Sequence, residues 1–104
     1  MEQYEKFVLD RCRYPGHGTF AGLEYTMLAL GGESGEAQNE VKKSIRDEAS
    51  TLTPDRRRRI LLELGDVLWY LVAAANELGA SLLQVAAMNE VKLIRRDEEK
   101  KPIG

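Results

Sequence analysis

The chain of 104 residues is long enough for one domain with a modest core and too short for two of ordinary size. Its 43% hydrophobic and 31% charged content excludes a disordered chain, and a net charge of −2 offers no global basic field to draw in nucleic acid. The single cysteine, Cys12, excludes an internal disulfide, and no apolar run approaches the ~20 residues that span a bilayer.

The segment Met1-Glu2-Gln3-Tyr4-Glu5 lacks the basic and apolar regions of a signal peptide. The expectation is a cytoplasmic protein with no membrane or nucleic-acid partner. Tyr4, Phe7, Val8 and Cys12 recur at helical spacing and predict a first helix, stopped by the turn-forming cluster Pro15-Gly16-His17-Gly18. A second helix is predicted from about Ala21 to Asp47, with Leu23, Met27, Leu30, Ala37, Val41 and Ile45 as its apolar stripe. Residues 48–52 read as a loop. Thr53 as N-cap, Pro54 at the first helical position and Asp55 beside the positive end of the dipole open a third helix. Gly79 is its expected C′ residue. Ser81-Leu82-Leu83-Gln84 is a capping-box pattern that opens a fourth helix to about Arg96, with residues 97–104 as a charged tail. No period-2 run bounded by turns predicts a strand, so the expected fold is all-α, a four-helix bundle spanning the chain as one domain.

One acidic pattern occurs twice: Glu33-Ser34-Gly35-Glu36 and Glu63-Leu64-Gly65-Asp66. Residues three apart share a helix face, so each motif aims two carboxylates one way. Glu33 and Glu36 alone also fit a solvated face. Glu63 and Asp66 are harder to place there, being the only charges in the apolar run from Ile60 to Ala75. A helix apolar nearly all round is expected to be buried, and a buried carboxylate needs a cation. Four carboxylates from two helices suit a hard divalent ion.

Gly31, Gly32, Gly35 and Gly65 lie inside predicted helices, where Gly costs about 1 kcal/mol relative to Ala. Close approach of a neighbouring backbone or a ligand would explain them, as would a kink at Gly31-Gly32. Lys43 falls near the stripe of Glu36 and Glu40, and Asn89, Lys92 and Arg96 share one face of the fourth helix. With the acids they fit a Mg²⁺–polyphosphate ligand; by themselves they fit a solvated face. Arg56-Arg57-Arg58-Arg59 reads as a solvated first turn, and Trp69 and Tyr70 as core or as the wall of a base pocket. One histidine, His17, supports neither a di-iron nor a zinc site, nor a histidine-based nucleophile triad.

Taken together these residues resemble a MazG-like nucleotide pyrophosphohydrolase of the all-α NTP pyrophosphatase superfamily, whose signature pairs Glu-x-x-Glu on one helix with Glu-x-x-Asp on the next. The resemblance spans roughly residues 4–96. It extends through Val41-Lys42-Lys43, Glu63 to Tyr70 (Glu-Leu-Gly-Asp-Val-Leu-Trp-Tyr), Asn89 to Arg96 (Asn-Glu-Val-Lys-Leu-Ile-Arg-Arg) and the Tyr14-Pro15 turn. Gly31-Gly32 departs from the family's bulkier residue at that point. The resemblance implies hydrolysis of (deoxy)nucleoside triphosphates to monophosphate and pyrophosphate in nucleotide-pool house-cleaning, with Mg²⁺ as cofactor and Mn²⁺ as a substitute. It also implies a homodimer or homotetramer. Glu33, Glu36, Glu63 and Asp66 would bind metal, with Glu33 or Glu36 as the base. Lys43, Asn89, Lys92 and Arg96 would hold substrate. Relatives specific for dUTP, dCTP or phosphoribosyl-ATP, and a non-catalytic helical oligomerisation module, are the competing readings.

Overall fold

The computed structural model describes residues 1–100, and they form four helices and no strand. These are α1 (Glu2–Leu9), α2 (Phe20–Asp47), α3 (Pro54–Glu77) and α4 (Leu82–Lys100). The local start and stop signals act as the sequence predicts. The Thr53 side chain accepts a hydrogen bond from the Arg56 N–H, and Pro54 begins α3. At the other end Gly79 adopts φ +71°, its N–H donates to the Asn76 carbonyl and the Ala80 N–H to the Ala75 carbonyl. This is a Schellman closure, and the left-handed backbone it requires favours glycine. Ser81 and Gln84 cap α4 reciprocally, Ser81 N–H to Gln84 Oε1 at 2.8 Å and Gln84 N–H to Ser81 Oγ at 3.1 Å.

Helices α2 and α3 run antiparallel as a long hairpin. Glu40 meets Arg56 near the loop, Glu33 meets Asp66 midway, and Gly22 meets Glu77 at the far end. The core lies at that far end, where α1 packs on α3. Val8, Val72 and Ala73 are its buried centre, with Tyr4, Cys12, Tyr14, Trp69 and Leu82 packed around them.

Four expectations are corrected. Helix α1 ends at Leu9, before the Pro15-Gly16 turn, although Cys12 still donates its S–H to the Val8 carbonyl. Helix α4 continues through residues 97–100, expected as tail; residues 101–104 lie outside the described region. The helices do not close into one bundle, because the Gly79 turn sends α4 off at 90° to α3 and none of its residues is buried. Nor is α3 buried all round. Only Val72 to Ala75 are fully buried; Val67 to Leu71 are half-buried, and Leu61, Leu62, Leu64 and Asp66 remain exposed. The cause is geometric: among the described residues α2 packs along α3 and α1 at its C-terminal end, and Leu61, Leu62 and Leu64 stay exposed. Among the described residues no single helix is long and apolar enough to cross a membrane.

Candidate functional site

Midway along the hairpin the two acidic motifs meet. One carboxylate oxygen from each of Glu33, Glu63 and Asp66 lies within 4.8 Å of the others. Glu33 and Asp66 border a hollow of about 310 Å³ whose remaining wall is Trp69 and Tyr70. Among the described residues no Lys, Arg or His pairs with any of the three acids. The electrostatic consequence falls on Glu33. Burial, and then the negative charges of Asp66, Glu63 and Glu36, hold its carboxyl above the usual carboxylate range. Burial also pushes up the Tyr70 phenol, helped by Tyr25, Glu33 and Asp66. An all-oxygen donor set of like charges with no protein cation fits a hard divalent ion.

The fourth predicted acid, Glu36, is exposed and stands outside the converging three, near enough only to raise Glu33. A Cβ added to any of the four glycines near the acids would meet nothing within 4 Å, so no neighbouring backbone among the described residues explains them. Nor do Gly31 and Gly32 interrupt α2, which is helical throughout 20–47.

The predicted basic groups are used elsewhere or point elsewhere. Lys43 pairs with Glu40 at 3.7 Å. Asn89, Lys92 and Arg96 lie on exposed α4. There Lys92 and Arg96 flank a shallow apolar surface with Met88 and Val91, and neither borders the acidic hollow. The 90° turn before α4 separates them from the α2–α3 face.

Sequence reasoning missed two polar clusters. Arg56, expected to be solvated, has a side chain only 14% exposed and bridges Glu40 and Glu48. Its guanidinium closes the α2–α3 loop and holds the carboxyls of Glu40 and Glu48 below their usual range. The second cluster centres on Glu77, whose side chain is 2% exposed. Its carboxylate accepts hydrogen bonds from the Tyr14 hydroxyl and the Gly18 N–H, with His17 Nδ1 at 2.9 Å. The Tyr14 hydrogen bond is the main reason its carboxyl lies below the usual range. One signal was present in the sequence: Glu77 follows Asp66 by about three helical turns and so shares its face of α3.

Residues 21–100 match the model of a family described as the MazG nucleotide pyrophosphohydrolase domain. The chain is also similar to the Gene 37 protein of Mycobacterium phage L5, 39% identical over 98 residues, with 91% of this chain and 86% of that one covered. No solved structure matches.

Proposed function

Since the chain belongs to the MazG nucleotide pyrophosphohydrolase domain family, we propose that it hydrolyses a ribo- or deoxyribonucleoside triphosphate to the monophosphate and pyrophosphate, with Mg²⁺, or Mn²⁺ in its place. The observation that carries this reading is the convergence of Glu33, Glu63 and Asp66, with none of them in an ion pair among the described residues. Like charges this close repel, and a bound cation would relieve that repulsion. These three residues would hold the ion, which when bound supplies Lewis-acid polarisation of the phosphate and a lowered pKa for a bound water.

The chain's own residues do the remaining work. Glu36 lies outside the three converging oxygens and is free to take the proton of the attacking water; Glu33 is the alternative base. Trp69 and Tyr70 offer aromatic surface beside the acids, against which a base can pack while its phosphates face the carboxylates. Asn89, Lys92 and Arg96 serve the phosphates only if a second copy brings α4 to the hollow. The exposed Leu61, Leu62 and Leu64 on α3 and Met88 on α4 support such packing in a homodimer or homotetramer. This reading leaves Lys43 to its pair with Glu40.

A ligand that binds only the folded chain must raise its melting midpoint. Millimolar Mg²⁺ is therefore expected to raise the midpoint of the wild-type chain by several degrees and to leave that of Glu33→Gln nearly unmoved. A wild-type midpoint indifferent to both Mg²⁺ and Mn²⁺ would favour a non-catalytic helical module.

A further inference from the structure

The buried carboxylate of Glu77 lies outside the acidic trio, yet a chain of contacts joins the two. The Tyr14 hydroxyl donates to Glu77. The Tyr14 ring stacks on Tyr25, centroids 5.6 Å apart and planes within 7°, and meets Trp69 edge-on at 6.5 Å. Trp69 in turn meets Tyr70 at 5.0 Å, and these two rings wall the acidic hollow. Of these residues Tyr14 alone is positioned by a loop rather than a helix, since α1 ends at Leu9 and α2 begins at Phe20.

Thr19 closes the far end of that loop on the Gly16 carbonyl, and Glu77 gathers its middle. Glu77 receives the Gly18 N–H on both carboxylate oxygens at 3.1 Å and lies 2.9 Å from His17 Nδ1. Gly22 lets the loop sit directly on α2, because a Cβ there would lie 2.5 Å from the Gly16 carbonyl and 2.9 Å from Glu77 Oε1. A nearly fully buried carboxylate with three donors around it is costly to form and strongly directional once formed. Its donors all come from residues 14–18, so its direct effect is to hold that loop, and with it the Tyr14 ring, against α3.

We propose that Glu77 is a positioning residue: through Tyr14 it fixes the aromatic wall at Trp69 and Tyr70 and so sets nucleotide affinity without touching the phosphates. The inference rests on the hydrolase reading above. Tyr14→Phe removes the tie to Glu77 and keeps the ring, and Glu77→Gln keeps the shape but sets an amide donor against the donors of the loop. Both are assayed for nucleoside triphosphate hydrolysis well below their melting midpoints, alongside the emission of Trp69, the one tryptophan of the chain. The expected result is a KM raised about tenfold with kcat within about threefold of wild type. The Trp69 emission should shift, and the Mg²⁺-induced rise in midpoint should persist in both variants. A merely structural role would lower the midpoint and leave KM and the emission of the folded fraction unchanged. An active wild type whose two variants keep its KM overturns the positioning role and leaves the hydrolase reading standing. A wild-type chain that hydrolyses no nucleoside triphosphate overturns both.

Discussion

Asp66→Asn is expected to lower nucleoside triphosphate hydrolysis by ~10²-fold or more while leaving the fold intact. Asn keeps the volume of Asp66 and removes the charge, so one of three converging carboxylates is lost with no change in shape. A divalent ion contributes several kcal/mol to transition-state stabilisation, and each 1.36 kcal/mol is about tenfold in rate. Asp66 is exposed, so the substitution buries no unpaired group. Removing one of three like charges also relieves repulsion on Glu33, and the melting midpoint without metal should hold or rise slightly. Glu63→Gln should behave alike. Glu36→Gln should differ: with Glu36 outside the trio, hydrolysis should fall while the Mg²⁺-induced rise in midpoint survives. Comparing kcat/KM and metal-dependent melting across the three variants separates ligand from base. Wild-type turnover in Asp66→Asn would contradict the site.

Gly22→Ala carries the largest expected effect on stability. In an open helix the change would stabilise by about 0.5–1 kcal/mol, since Ala is the better helix former. Here the new methyl would lie 2.5 Å from a backbone carbonyl, Gly16 O, which cannot rotate away as a side chain can. Relief requires moving the 14–18 loop, and with it the hydrogen bonds to Glu77. Overpacking of this kind costs typically 1–3 kcal/mol, so after the propensity gain a net loss of about 1 kcal/mol and a fall in midpoint of roughly 4–8 °C are expected. Gly31→Ala is the control, because nothing in the chain lies within 4 Å of its added Cβ and the helix-propensity gain should emerge unopposed. Thermal melts of the two variants should therefore move in opposite directions. A Gly22→Ala midpoint at or above wild type would show that the loop does not sit on α2 as described.

The contrast between these glycines marks what was legible in the chain's residues and what was not. Signals that act within one turn were legible. Thr53-Pro54, Gly79 and the Ser81–Gln84 box each satisfy backbone groups a few residues away, and each does so in the structure. The acidic motifs were legible because helical spacing puts two carboxylates on a face, and three of the four do converge. What failed was whatever depends on a distant partner. Gly22 looks like any helical glycine until Gly16 and Glu77 are seen against it. Arg56 looked solvated beside three further arginines, and only the return of α2 brings Glu40 and Glu48 to it. The apolar run of α3 predicts a buried helix, and the structure buries only Val72 to Ala75, because composition does not say which element supplies the cover. Leu61, Leu62 and Leu64 find none among the described residues.

The same limit applies to α4. Helical periodicity puts Asn89, Lys92 and Arg96 on one polar face but carries no information on the angle between helices. The Schellman turn at Gly79 sets that angle at 90°. Lys92 and Arg96 accordingly line a surface on α4 rather than the acidic hollow.

The proposed cleavage between the α- and β-phosphates at the Glu33–Glu63–Asp66 site is the reading on which the rest depends. It is tested by product analysis after incubation of the wild-type chain with a panel of nucleoside triphosphates and Mg²⁺. Monophosphate and pyrophosphate are expected in equal amounts, with EDTA abolishing both. Diphosphate with orthophosphate, or intact triphosphate across the whole panel, would contradict it.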